Sequence, residues 1–177
     1  MALSLNASDS CKYLSVIINY PATLSTVLGL NILNIDGTSI AGTVNPTFTI
    51  EPGSGPISYP IPVSDLTISN GIVTVVLTTQ TGNPLAGGTK STLLHCDIDC
   101  CLTKLTNELI DCACDCAKCA SSLAKAQKVF LLIKSADYAI IQANDGTTSA
   151  RPGFLQDANS KYLKAKEICD ESCGCDC

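Results

Sequence analysis

Tryptophan is absent from this chain, and methionine and histidine occur once each among its 177 residues. The single histidine, His95, has no second base near it in the sequence, so a Cys-His nucleophile pair lacks the partner that would activate it. Charge is scarce as well. Lys, Arg, Asp and Glu make up 15% of the chain, with 2 Lys against 4 Asp/Glu before His95 and 9 Lys/Arg against 12 Asp/Glu after it. No cluster of Lys and Arg exists to displace counterions from phosphates, which argues against nucleic acid as a partner. The most apolar helix candidate, Val129 to Ala143, is interrupted by Lys134 and Asp137. It falls short of the roughly 20 apolar residues that span a bilayer, so a buried core helix is expected rather than a membrane anchor. The opening MALSLNASDS lacks the cationic and apolar regions of a signal peptide. Synthesis in the cytoplasm is therefore expected, and the sequon Asn6-Ala7-Ser8 carries little weight.

What the chain holds in excess is cysteine, with twelve. A chain of this length can bury a core without covalent staples, so the cysteines serve some further purpose. Seven of the twelve lie between His95 and Cys119, in HCDIDCCLTKLTNELIDCACDCAKC; Cys11 alone precedes them, and Cys169, Cys173, Cys175 and Cys177 close the chain. In a product made in the cytosol this density favours metal ligation or buried thiols over a disulfide framework, with oxidation open to it after release from a cell.

Before Cys96 the sequence reads as strand and turn. Tyr13 to Tyr20, Leu28 to Asp36 and Thr47 to Glu51 read as strands that end at Pro, Gly, Asn or Asp signals, and Thr89 to Leu94 as a last strand that runs straight into the cysteine segment. Asp65 to Gln80 reads as a hairpin folded at Asn70-Gly71. Val73, Val75 and Leu77 lie on its inner face, and Ile72, Thr74, Val76 and Thr78 form a mixed, half-covered outer one. Short strands at this interval predict an antiparallel β-sandwich of immunoglobulin-like type over residues 1–95. So little charge on its sheets suits a domain covered by neighbours in an assembly, the other reading being a free domain solvated by Ser and Thr.

From Cys96 onward the apolar period changes to that of helices, which predicts an α+β protein whose residues 96–177 form a cysteine-rich three-helix bundle. Ile98, Leu102, Leu105, Leu109 and Cys112 mark the first helix, over Asp97 to Asp111. Leu123, Ala126, Val129, Phe130, Ile133, Ala136 and Ile140 mark the inner side of a second, over Ala117 to Asn144, whose turn Val129 to Ile133 is apolar all round. Leu155, Ala158, Tyr162, Ala165 and Cys169 mark a third. An up-down-up course brings the corner Cys112 to Cys119 to the tail Cys169 to Cys177 and leaves Cys96, Cys100 and Cys101 at the opposite end.

Two chemistries suit that juxtaposition. Cys112, Cys114, Cys116, Cys119, Cys169, Cys173, Cys175 and Cys177 are candidate ligands of Zn²⁺, which takes four thiolates, or else disulfide partners of one another. Cys101, on the inner face of the first helix, reads as a small core residue. A bridge between Cys11 and Cys96 would tie the sandwich at one end and close a long loop, a stabilisation of about 4 kcal/mol. His95 next to Cys96 makes a conceivable ligand pair, though a structural role is the plainer reading. Asp97, Asp99, Asp111 and Asp115 read as solvating charges and helix-terminal acids.

The order of features resembles a family of virion proteins from tailed bacteriophages, in which an S-x-x-C opening leads an immunoglobulin-like domain and a cysteine after the last strand leads into a C-x-x-x-C-C helix. The matching residues are Ser8 to Cys11 with Leu14, then Leu93 to Cys96, then Cys96 to Cys101, then the Cys112 to Cys119 block and the terminal cysteines. Ile72 departs from the aromatic usual after the Asn-Gly pair, and the cysteine tail is longer. The resemblance implies a non-enzymatic neck, tail or baseplate component of the virion that docks other virion structural proteins, and the all-round apolar turn Val129 to Ile133 with the shortage of charge before His95 predicts homo-oligomers. A cytosolic metal-binding protein is the alternative, and a secreted disulfide-rich adhesin a third.

Overall fold

Among the residues that the computed structural model describes, seven strands precede three helices, so the protein is α+β as the change of period at Cys96 predicts. The described residues are all but 1, 8–10, 41–45, 68–69, 112–115, 148 and 174–177, with side chains also left aside at 2–7, 70, 109–111, 116–118 and 172–173. The strands are β1 (Ala2–Ala7), β2 (Tyr13–Asn19), β3 (Thr26–Leu33), β4 (Thr47–Ile50), β5 (Ile57–Pro62), β6 (Asn70–Thr79) and β7 (Pro84–His95). They are followed by α1 (Cys96–Asp111), α2 (Cys116–Asp145) and α3 (Arg151–Cys173). The chain divides into two units, Met1–Leu94 and His95–Cys177.

In the first unit the strands form two sheets, ordered β1-β2-β5 and β4-β3-β6-β7, and the registered pairs are antiparallel. Alternate residues of a strand point to one face. That face of β2 supplies Leu14, Val16 and Ile18, and it shares a single buried cluster with Leu28, Leu30 and Ile32 of β3 and Val73, Val75 and Leu77 of β6. The inward set expected for β6 is therefore the observed one.

Three features differ from expectation. Asn70-Gly71 is not the turn of a hairpin: β6 is continuous from Asn70, with Gly71 at φ 109°, and its neighbours are β3 and β7. Before it, Val63–Asp65 form a 3-10 turn, and Ile68, expected in a strand, lies outside the described residues. The hairpin is β6–β7, closed by Gly82 N–H donating to the Thr79 carbonyl at 2.9 Å and Thr79 N–H donating to that of Asn83 at 2.8 Å. The outer residues of β6 are not half-covered either. Ile72, Thr74, Val76 and Thr78 are all buried, and the Thr74 hydroxyl is satisfied by that of Ser91 at 2.7 Å.

The third difference is β5, which contains Pro60 and Pro62. Val63 N–H donates to the Lys12 carbonyl, and the backbone alternates, so Tyr59 and Ile61 also face β2 while both proline nitrogens face away. β5 is an edge of its sheet, where proline has no ladder bond to lose.

The second unit runs as three helices, α1 and α3 each antiparallel to α2. Ile98, Cys101 and Leu105 of α1, Val129, Ile133, Ala136, Ala139, Ile140 and Ala143 of α2, and Ala158, Tyr162, Ala165 and Cys169 of α3 are buried. Leu123 and Phe130, expected inside, are 46% and 51% exposed. At about 100° per residue Phe130 stands about 120° around the helix from Ala136 and about 140° from Ala143, outside the side that is buried. The side that packs is the one carrying alanines, because small residues let helices approach closely.

Leu30 is fully buried between the sheets. Leu30→Ala is expected to lower the unfolding free energy of the chain by about 3 kcal/mol in urea denaturation, and Leu24→Ala, at a 75% exposed position, to stay within about 0.5 kcal/mol.

Candidate functional site: a tie between the first and third helices

Cysteine and aspartate one helical turn apart form the centre of the second unit. Asp97 and Cys101 lie four residues apart on α1, hence on one face, and they meet Tyr162, Lys166 and Cys169, which share one face of α3. Cys101 and Cys169 form a disulfide across a sequence separation of 68, with Cα atoms 5.8 Å apart. Both are buried. Closing a loop of that length removes unfolded-chain entropy worth about 4 kcal/mol.

Four residues N-terminal to Cys101, the Asp97 carboxylate accepts from the Tyr162 hydroxyl at 3.2 Å and from the Lys166 ammonium at 3.0 Å. The same carboxylate stands in the first turn of α1, where the helix dipole favours an anion. Burial, followed by the neighbouring Asp97, pushes the Tyr162 hydroxyl well above the usual tyrosine range. The hydrogen bond to Asp97 raises Lys166, against a smaller opposing effect of burial.

Other ties hold the remaining helix pairs. Ser122 of α2 donates to Glu108 of α1 at 3.0 Å. Arg151, at the start of α3, donates from Nη1 to the Ala143 carbonyl at 3.0 Å, satisfying an acceptor that the end of α2 would otherwise leave open. His95 Nδ1 and Asp99 Oδ1 share a hydrogen bond of 3.0 Å at the start of α1, and Cys96 is disulfide-bonded, so His95 and Cys96 do not act as a ligand pair. Nearby Asp137 is raised by burial, against the lowering influence of His95 and Lys134.

The expected core thiol Cys101 is thus corrected to a disulfide partner, and Cys169 bonds to Cys101 rather than to the corner. The cause is helix length. α1 has 16 residues against 30 in α2 and 23 in α3, so its start lies level with the middle of α3, not with the far end of the bundle. Cys11, Cys96, Cys100 and Cys119 are also disulfide-bonded. A sulfur so bonded offers no thiolate to a metal, so neither Cys119 nor Cys169 serves Zn²⁺ in this form. Cys112, Cys114, Cys175 and Cys177, and the side chains of Cys116 and Cys173, lie outside the described residues. No group of three or more His, Cys, Asp or Glu suited to a metal occurs among the described residues.

In the first unit, a cleft of about 560 Å³ opens beside Cys11, Lys12, Tyr13, Pro62 and Leu66. No protein-family model and no curated protein matches the chain.

Asp97→Ala is expected to cost about 2 kcal/mol in chemical denaturation, because it strands the buried Tyr162 hydroxyl; Asp97→Asn, which keeps an acceptor, should cost less. Lys166 and Tyr162 both have folded pKa values above their ordinary 10.5 and 10.0. A raised folded value favours the protonated form, so the stability they contribute is full below pH 10 and is lost as the pH rises above it. Unfolding midpoints measured from pH 7 to 11 should fall above about pH 10, and Tyr162→Phe should flatten that fall.

Proposed function

We propose that the protein is a non-enzymatic structural component of a tailed-bacteriophage particle, a neck, tail or baseplate adaptor whose two units dock neighbouring subunits. The observation that carries this reading is a helical unit whose first and third helices are joined by a buried disulfide and a part-buried ion pair, attached to a β-unit with very few charges. Rigid ties suit a part that bears load between neighbours. A sheet surface poor in Lys and Glu suits one that neighbours cover.

On this reading the first unit is of immunoglobulin-like type, and the disulfides form when the particle leaves the reducing cytoplasm of the host. The alternative, a cytosolic metal-binding protein, needs reduced thiolates, and the six described cysteines found in disulfides weigh against it. Any Zn²⁺ would then rest on the cysteines of the corner and tail outside the described residues.

Mass spectrometry of density-purified phage particles, with alkylation of unreacted thiols before digestion, tests the reading. The chain should co-purify at a fixed ratio to other particle proteins, with Cys101 and Cys169 protected from alkylation until reductant is added. Its absence from particles, or recovery in the cell lysate with reduced thiols and several equivalents of zinc, would establish the metal-binding alternative instead.

A further inference from the structure

Helix α2 carries a second apolar face opposite the packed one. Leu123, Phe130, Leu131, Tyr138 and Ile141 are 46%, 51%, 66%, 64% and 52% exposed. At about 100° per residue they fall within one sector roughly a quarter-turn wide, and they extend over about 27 Å of helix. The sector's midline lies on the far side of the helix from buried Val129, Ala136 and Ala143. Two of the five are aromatic side chains of about 150–250 Å² each, so the half-exposed set presents on the order of 500 Å² of apolar surface. That is at the upper end of the largest patch on a typical monomer, about 300–600 Å².

Within the stripe the charges are self-complementary. Lys134 lies among its apolar members, with its ammonium 5.7 Å from the centre of the Phe130 ring, and Asp137 follows one turn later along the stripe's edge. We propose that this face binds the same face of a second copy of the chain, the two α2 helices crossing antiparallel about a twofold axis between Lys134 and Asp137. That axis sets Lys134 of each copy against Asp137 of the other and Phe130 against Ile141. A parallel pairing would stack Lys134 on Lys134 and is disfavoured by like charge.

The area supports a dimer of this kind. With the polar residues flanking the stripe, each copy approaches the roughly 800 Å² per partner of a standard stable interface. An isologous contact closes on itself and leaves the β-unit available to other neighbours. The pairing does not depend on the virion reading, since it uses residues of α2 alone.

Sedimentation equilibrium of the intact chain at about 100 μM should give a dimer, and Leu131→Glu should weaken it at least about 10-fold while leaving the helical circular dichroism unchanged. Lys134→Asp and Asp137→Lys should each give monomers alone, because like charges then meet twice across the axis. An equimolar mixture of the two should dimerise, because both cross-pairs become opposite in sign. A wild-type chain that stays monomeric, which would leave the stripe to an unlike partner, overturns the proposal. So does an oligomer that survives Leu131→Glu, or a mixture of the two charge variants that remains monomeric.

Discussion

The arrangement of the helical unit depends on one seam, where a single face of α1 presents Asp97 and Cys101 to a single face of α3. The disulfide to Cys169 and the ion pair to Lys166 fix the same register twice, once covalently and once electrostatically. Neither could be satisfied if α1 slid by a turn along α3. α1 has 16 residues, little above the about 12–15 below which even an alanine-rich isolated helix is marginal in water, and most of its stability comes from what it packs against. Ile98 and Leu105 flank the seam and are buried with it, so loss of register would expose apolar surface and break polar ties together.

How far the sequence foretold this seam shows in Cys101 and Cys169. Helical periodicity places Cys101 on the inner face of the first helix and Cys169 on the inner face of the third, and both placements hold. Their pairing was hidden because the up-down-up course was read only at its ends, corner against tail, although an α1 of 16 residues beside an α2 of 30 starts level with the middle of α3. Helix ends are the least legible feature of a sequence, and here α3 begins at Arg151, with Pro152 and Gly153 in its first turn. Proline in the first turn costs no hydrogen bond, so it starts a helix as readily as it breaks one.

The β-unit was legible wherever burial imposes alternation, as at Val73, Val75 and Leu77. It was illegible where the backbone decides. Pro60 and Pro62 remove donors, which argues against a strand in a sheet's interior but not at its edge. Gly71 has a φ that only glycine adopts without strain, which a hairpin turn and the first residues of a strand such as β6 can use equally.

The two apolar faces of α2 explain both the misplacement of Phe130 and the need for ties. The face that packs includes Ala136, Ala139 and Ala143, against an α3 that buries Ala158 and Ala165. Alanine lets helices come close but buries little, since each CH₂ removed from water stabilises by about 0.8 kcal/mol. The larger residues Phe130, Leu131, Tyr138 and Ile141 point outward. A bundle that packs largely through small side chains gains less from burial than one built on leucine and phenylalanine, and covalent and ionic links between α1 and α3 offset the difference. The same division leaves the larger apolar side chains of α2 for contacts made outside the chain, so the seam that holds the bundle and the stripe that α2 exposes are two consequences of one distribution of side-chain size.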